Sequence, residues 1–141
     1  MENEQEKPIT FFRFEDLRIY HKALEYVNWV YSVSKNVNND PFIQAFFERY
    51  IHSAQGISMN IAEGSSRNKS QFVYYLKMAK SSVRECVVLS TVASDRKFIS
   101  SESYDDSKSH LMEMTKMIGA LIGSLQRSVK PGEHDVDEDN E

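Results

Sequence analysis

Basic residues cluster in one stretch of the chain, and phosphate binding is the chemistry that they could supply. The cluster consists of Arg67, Lys69, Lys77, Lys80 and Arg84. Lys77, Lys80 and Arg84 are spaced three and four apart, so they share one face of a helix. Tyr74 and Tyr75 lie among them, which is compatible with stacking on unpaired bases and equally with packing. The cluster is our candidate nucleic-acid-binding strip. The alternative is a solvated face whose charges pair within the chain, with Arg84 neutralising Glu63.

Residues that commonly perform catalysis or bind metals are isolated from one another. Histidines occur at His21, His52, His110 and His134, and none ends a Glu-x-x-His motif of the di-iron bundles. There is no Cys pair, no phosphate-cradling glycine loop and no Gly-x-Ser-x-Gly elbow. Glu48 and His52 are four apart, which a surface pair explains better than a metal site. We therefore expect no enzyme, no cofactor and no metal.

The composition is typical of a soluble globular domain. The 141 residues are 40% hydrophobic and 27% charged, without an apolar run near the roughly 20 residues of a membrane span. The first residues lack the apolar core of a signal peptide. The single cysteine, Cys86, excludes an intrachain disulfide framework, and its apolar neighbours favour a small core residue over a nucleophile. We expect a cytoplasmic protein.

The net charge of −4 is unevenly distributed along the chain. Both ends are acidic, whereas the long segment between them is mildly basic. We expect a flexible N-terminal arm (1–12), a helical body (13–128) and a disordered acidic tail (129–141). The tail either keeps an assembly soluble or competes with an anionic ligand for the basic body.

Hydrophobic periodicity predicts four helices joined by short connections, over about 15–36, 41–64, 71–96 and from 102 onward. Asp40, Ser70 and Ser101 are the expected N-caps, with Pro41 at the first position of the second helix. On that helix, Phe42 and Phe46 are expected to extend the apolar face. The fold class is therefore all-α, an antiparallel up-down four-helix bundle.

The first helix carries two apolar stripes. One contains Leu17, Tyr20, Leu24, Val27 and Tyr31; the other contains Tyr26, Trp29, Val30 and Val33. A helix in a lone bundle needs one stripe, so the second indicates either contacts between subunits or an unusually broad core face. On the fourth helix, Gly119 and Gly123 predict another place for close helix approach.

The stretch 53–67, SAQGISMNIAEGSSR, combines small residues with two polar ones that a buried helix should avoid. Gly56 indicates close packing, and Gly64 is expected as the left-handed residue just after the helix. Glu63 then lies in the last turn, where the helix dipole makes a cationic or hydrogen-bonding partner necessary. We predict that Asn60 and Glu63 fix the register of the second helix against the third. Their expected partners are Ser81, Ser82 or Arg84.

Three segments resemble the 23S rRNA intervening-sequence protein family. Asn60-Ile61-Ala62-Glu63-Gly64, followed by Arg67, resembles its signature. Phe14-Glu15-Asp16-Leu17 with Tyr20 and Ala23 resembles its opening helix, and the segment 75–85 resembles its third-helix pattern. The resemblance covers roughly 11–127 and implies a homopentamer. It also implies similarity to the accessory variability determinant proteins of diversity-generating retroelements, which bind nucleic acid. Around a ring of subunits, a modest basic strip becomes a concentrated positive field.

Two functions fit these observations. The first is a non-enzymatic, oligomeric protein that associates with nucleic acid, RNA by resemblance. The second is a scaffold for another protein that uses the Tyr26/Trp29 stripe or the acidic tail. The expected partners are further copies of the chain and RNA or DNA, without a membrane or a small-molecule substrate.

Overall fold

A computed structural model describes residues 11–129, and the regular structure of this part of the chain is entirely helical. A short 3-10 helix (Arg13–Asp16) precedes α1 (Arg18–Ser34), α2 (Pro41–Ser65), α3 (Lys69–Asp95) and α4 (Ser101–Ser128). The all-α class and the four predicted helices are confirmed. Most of the predicted N-terminal arm, the acidic tail beyond Val129 and His134 lie outside the described residues.

Side-chain caps determine where three of the helices begin. The Asp40 carboxylate accepts a hydrogen bond from the Phe42 amide at 2.8 Å, and Pro41 opens α2, as predicted. The predicted caps Ser70 and Ser101 are wrong, because Asn68 and Ser100 cap α3 and α4 instead. The cap at Ser100 places the buried Ile99 just before it and Tyr104 at the fourth helical position, the spacing of a hydrophobic staple.

The four helices enclose one core. α1 packs against α2 and α4, and α3 packs against the same two helices. Each helix contributes fully buried apolar side chains, among them Ala23, Val30, Ile57, Ile61, Leu76, Ala79, Leu111 and Ile118. Periodic apolar faces thus converge on a shared interior, which is the main stabilising contribution to such a bundle.

Buried hydroxyl groups from the four helices meet within this core. The Tyr26 hydroxyl lies 2.7 Å from the Tyr50 hydroxyl and 2.8 Å from Ser107 Oγ. Ser90 of α3 is buried as well and interacts with the Tyr50 hydroxyl. Burial raises the pKa of both tyrosines above the ordinary value, so they remain neutral. The network satisfies polar atoms that would be costly to bury alone.

Three of the four residues in the second stripe of α1 face the core. Tyr26, Val30 and Val33 are buried and Trp29 is half-buried, whereas Tyr31 of the first stripe is exposed. The broad-core-face alternative therefore accounts for Tyr26, Val30 and Val33, whereas Trp29 keeps part of its surface exposed. The prediction for Phe42 is also wrong, because this side chain is exposed at the start of α2.

The connection from α3 to α4 turns at a residue with positive φ. Lys97 has a φ of 63°. The Phe98 amide donates to the Ala93 carbonyl at 2.8 Å, and the Lys97 amide donates to the Ser94 carbonyl at 3.0 Å. This pair of hydrogen bonds is a Schellman motif, in which a lysine occupies the position that glycine usually takes.

Candidate nucleic-acid interface

The signature segment forms the contact between α2 and α3. A Cβ atom added to Gly64 would lie 2.6 Å from Tyr75 Cβ, and one added to Gly56 would lie 2.7 Å from Ser82 Oγ. Gly64 is buried within α2, which continues to Ser65, so its predicted role as a left-handed residue after the helix is wrong. At Gly64, α3 approaches α2 too closely for a side chain, whereas at Gly56 the nearest atom is a serine hydroxyl that can rotate away.

Asn60 and Glu63 find partners on their own side of this contact. The Asn60 amide donates to the Gly56 carbonyl at 2.9 Å, and Arg67 Nε donates to the Glu63 carboxylate at 3.1 Å. The predicted partners on α3, including Arg84, are therefore wrong. Glu63 is exposed and Arg67 follows it by one helical turn, so the local pair forms more readily than a link across helices. The cationic partner expected for Glu63 is Arg67.

Ser53 and Glu85 supply a polar link between α2 and α3. Ser53 Oγ donates to a Glu85 carboxylate oxygen at 2.9 Å. Sequence reasoning missed this pair because the two residues are far apart along the chain.

Arg67 is engaged on two sides. Besides its ion pair with Glu63, its guanidinium lies over the ring of Tyr75, 5.1 Å from the ring centre. The hydrogen bond to Glu63 raises the pKa of Arg67 above its ordinary value. Lys69 is exposed nearby, at the first residue of α3. These two members of the predicted basic strip therefore lie at the connection between α2 and α3.

The other three members lie within α3, which packs against α4. A cavity of about 200 Å³ between these helices is lined by Val87 together with Lys108, Leu111, Met112, Thr115 and Lys116. Arg84 and Lys80 precede Val87 by three and seven residues, and Lys77 precedes Arg84 by seven. By helical spacing, Lys80 lies on the same side of α3 as Val87, and Arg84 and Lys77 lie progressively to one side of it. We call this surface the α3/α4 groove. It consists of Lys77, Lys80, Arg84 and Val87 of α3 and Lys108, Leu111, Met112, Thr115 and Lys116 of α4.

Most cations of the groove lack an ion-pair partner among the described residues. Four of them have no carboxylate within ion-pair distance among residues 11–129: Lys80, Arg84, Lys108 and Lys116. Lys108 lies 5.3 Å from the ring centre of Tyr104, and Arg84 donates to Ser81. The opposite side of α4 differs, since Glu113 there pairs with Lys22 at 3.5 Å. Lys108 and Lys116 thus line a cavity beside α3 without a carboxylate partner among the described residues.

Lys108 and Lys116 were not assigned to the candidate strip from the sequence. They lie eight apart on α4, a spacing that returns to a similar face of a helix after about two turns. The sequence therefore contains the spacing that relates the two lysines. Assigning them to the strip also requires knowing which face of α4 borders α3.

Cys86, His21 and His110 each lie in a different part of the described bundle. Cys86 is buried, and burial raises the pKa of its thiol to about 12, which keeps it protonated. His21 contacts the Glu15 carbonyl at 2.7 Å, and His110 packs against the rings of Tyr26 and Trp29. Within the described part of the chain, no three His, Cys, Asp or Glu residues are grouped so as to hold a metal ion. None of the helices in residues 11–129 is both long and apolar enough to span a membrane.

A profile of the family described as 23S rRNA-intervening sequence protein matches residues 15–120. The chain belongs to this family. The match covers α1, α2, α3, most of α4, the signature segment and every cation of the α3/α4 groove. The resemblance to 23S rRNA-intervening sequence proteins is therefore confirmed. The comparison with curated proteins found no match.

Proposed function

We propose that this 23S rRNA-intervening sequence protein is a non-enzymatic, oligomeric protein of the cytoplasm that associates with RNA through the α3/α4 groove. One observation carries the proposal: Lys108 and Lys116 line one cavity together with Val87 of α3, and four cations of the groove have no carboxylate partner among the described residues. The description of the family supports RNA as the nucleic acid.

The spacing of the cations suits a polyanion. Lys77 and Arg84 are seven residues apart on α3, which corresponds to about 10 Å along the helix. A phosphate backbone that lies along the groove meets cations from both helices and releases condensed counterions, which drives binding. The affinity should therefore fall steeply as salt is added.

The helix pairs support the antiparallel up-down topology that we assign to the bundle. Ser53 contacts Glu85, Gly56 faces Ser82, and Gly64 faces Tyr75. As the residue number rises along α2, the number of its neighbour on α3 falls. The short connections between successive helices favour the same arrangement.

The outward face of α3 supports assembly into a homopentameric ring. Met78, Val88 and Val92 are 41%, 60% and 37% exposed. With Tyr74, Ser81 and Glu85 they follow alternating four- and three-residue steps, the spacing of a helix–helix seam. A further copy of the chain would cover these apolar side chains and place the α3/α4 grooves of successive subunits around one ring.

Fluorescence anisotropy with a labelled structured RNA tests the binding proposal. We expect the double variant Lys80→Gln/Lys116→Gln to bind at least tenfold more weakly and to reduce the slope of log K against log salt by about 2. The matched control, Lys35→Gln/Arg49→Gln, removes two exposed cations outside the groove and should bind as the wild type does. Equal losses of RNA affinity in both variants would refute binding at the groove. The absence of RNA binding by the wild type at about 50 mM salt would also refute it.

A further inference from the structure

A second cavity, distinct from the groove, lies between the 3-10 helix and the end of α2. Its volume is about 600 Å³. Phe11, Phe12, Phe14 and Arg13 line one side, and Met59 and Arg67 are among the residues that line the other. We call it the aromatic cavity. It is within the size range of small-molecule sites, and the proposed groove does not use it.

Its aromatic rings form a connected series that is anchored at one end. Phe14 packs edge-on against Tyr20 of α1 at a centroid distance of 4.9 Å. Phe12 lies 5.9 Å from Phe14, and Phe11 lies 5.0 Å from Phe12. Phe11 is 90% exposed at the free end of the series. Exposed phenyl rings on an anchored series provide a surface on which a further planar ring can stack.

The charges around the cavity favour an anionic ligand. Arg13 and Arg67 both line it, and Glu63 is the one carboxylate among its lining residues. Glu63 already accepts two hydrogen bonds from Arg67, so its charge is compensated. Arg13 is exposed and takes part in no ion pair within the described residues. The lining therefore combines apolar rings with a net positive charge.

We infer that the aromatic cavity binds one unpaired nucleotide, whose base stacks on the ring of Phe11 with its edge against the nearly perpendicular ring of Phe12, and whose phosphate is bound by Arg13. The inference rests on the proposed association with RNA, and it adds a site that selects unpaired over paired bases. Stacking of a base on an aromatic side chain requires an accessible face, which a base within a duplex does not offer. The positive lining argues against a purely apolar occupant, such as a hydrophobic segment of a second copy.

The direct test is a titration of the full chain, labelled with ¹³C at the methionine methyl groups, with adenosine monophosphate. Met59 lines the aromatic cavity and Met112 lines the groove, so the two methyl signals report on the two sites separately. We expect a saturable shift of the Met59 signal from the ring current of adenine, with little change at Met112. The shift should disappear in Phe11→Ala/Phe12→Ala and persist in Phe42→Ala, which removes an equally solvent-facing ring elsewhere.

A second measurement compares a single-stranded oligoadenylate with an RNA duplex of equal length. Phe11→Ala/Phe12→Ala should weaken binding of the single strand about tenfold and leave binding of the duplex unchanged. The groove variant Lys80→Gln/Lys116→Gln should weaken both. A Met59 shift that survives the loss of both rings would overturn the inference. A loss of oligomer mass in the Phe11→Ala/Phe12→Ala variant would also overturn it, since the rings would then contact another copy. If the wild type binds neither RNA but the Met59 signal still shifts with adenosine monophosphate, RNA binding at the groove is refuted. Nucleotide binding in the aromatic cavity is then supported independently.

Discussion

The hydroxyl groups of Tyr26 on α1 and Tyr50 on α2 lie 2.7 Å apart in the interior of the bundle. Ser107 of α4 completes the contact at 2.8 Å from the Tyr26 hydroxyl. Each hydroxyl is satisfied only in one relative placement of the helices, because a shift by one turn would bury the groups without partners. The network therefore favours one packing register over the alternatives that a purely apolar core permits.

Removal of the Tyr26 hydroxyl tests this role. We expect Tyr26→Phe to lower the free energy of unfolding by about 1–3 kcal/mol, because Tyr50 and Ser107 each lose their shortest hydrogen bond in the network while remaining buried. Urea denaturation measures the change. Tyr31→Phe removes a hydroxyl from an exposed side chain of the same helix and should change stability by less than about 0.5 kcal/mol. Similar effects for the two variants would contradict a structural role for the network.

Cys86 predicts a loss of stability at alkaline pH. Burial raises the pKa of its thiol to about 12 in the folded chain, whereas an unfolded thiol has a pKa of about 8.5. Unfolding therefore releases a proton between these values, and the stabilisation present below about pH 8.5 is lost as the pH rises toward 12. We expect the free energy of unfolding to fall by about 2 kcal/mol between pH 8 and pH 10.

Urea denaturation at several pH values, with Cys86→Ala as the comparison, isolates this contribution. The variant lacks the thiol and should show a much flatter dependence up to about pH 10, above which the buried tyrosines add a similar loss. An equally steep decline in wild type and variant would assign the effect to other groups.

Replacement by alanine should destabilise the fold at Gly64 and stabilise it at Gly119. At Gly64 an added Cβ would lie 2.6 Å from Tyr75 Cβ, so Gly64→Ala forces α3 away and should cost about 1–3 kcal/mol. At Gly119 an added Cβ meets nothing within 4 Å. Gly119→Ala should therefore stabilise α4 by about 0.5–1 kcal/mol, because alanine is the better helix former. Thermal unfolding of both variants measures the difference, and a destabilising Gly119→Ala would indicate a close neighbour outside the chain.

The apolar outward face of α3 predicts an effect on assembly. Val88 is largely exposed in the single chain, so Val88→Glu should leave the fold intact but introduce a charge into the proposed contact between subunits. Light scattering after size exclusion should show the mass of five chains for the wild type and a smaller species for the variant. Phe42→Glu alters an exposed apolar side chain on α2 and should leave the assembly unchanged. A monomeric wild type would rule out the ring.

Sequence periodicity and local capping were sufficient for the helical architecture. Asp40 followed by Pro41 identified the start of α2, because the interactions of a cap lie within a few residues of the chain. The same reasoning chose Ser70 and Ser101 over Asn68 and Ser100. Neighbouring Ser and Asn residues are chemically equivalent as caps, so tertiary burial, such as that of Ile99, decides between them.

Features that depend on packing between helices could not be predicted in the same way. The sequence predicted Gly64 to follow the end of the second helix. In the structure Gly64 lies within α2, packed closely against Tyr75. The second stripe of α1 was compatible with either a core or an interface, and only the positions of α2 and α4 resolve this ambiguity. The members of the candidate strip are also separated by helix packing. Arg67 pairs with Glu63 at the end of α2, whereas Lys80 lies on the side of α3 whose Val87 lines a cavity with Lys116.

The Schellman motif at Lys97 and the cap at Ser100 together close the turn between α3 and α4 by hydrogen bonds between near neighbours in sequence. Contacts of such short sequence separation form quickly, because little chain entropy is lost in closing the loop. We therefore expect the α3–α4 hairpin to form early during folding. All cations of the proposed RNA surface belong to this hairpin, so its electrostatic character is encoded by one contiguous stretch of sequence.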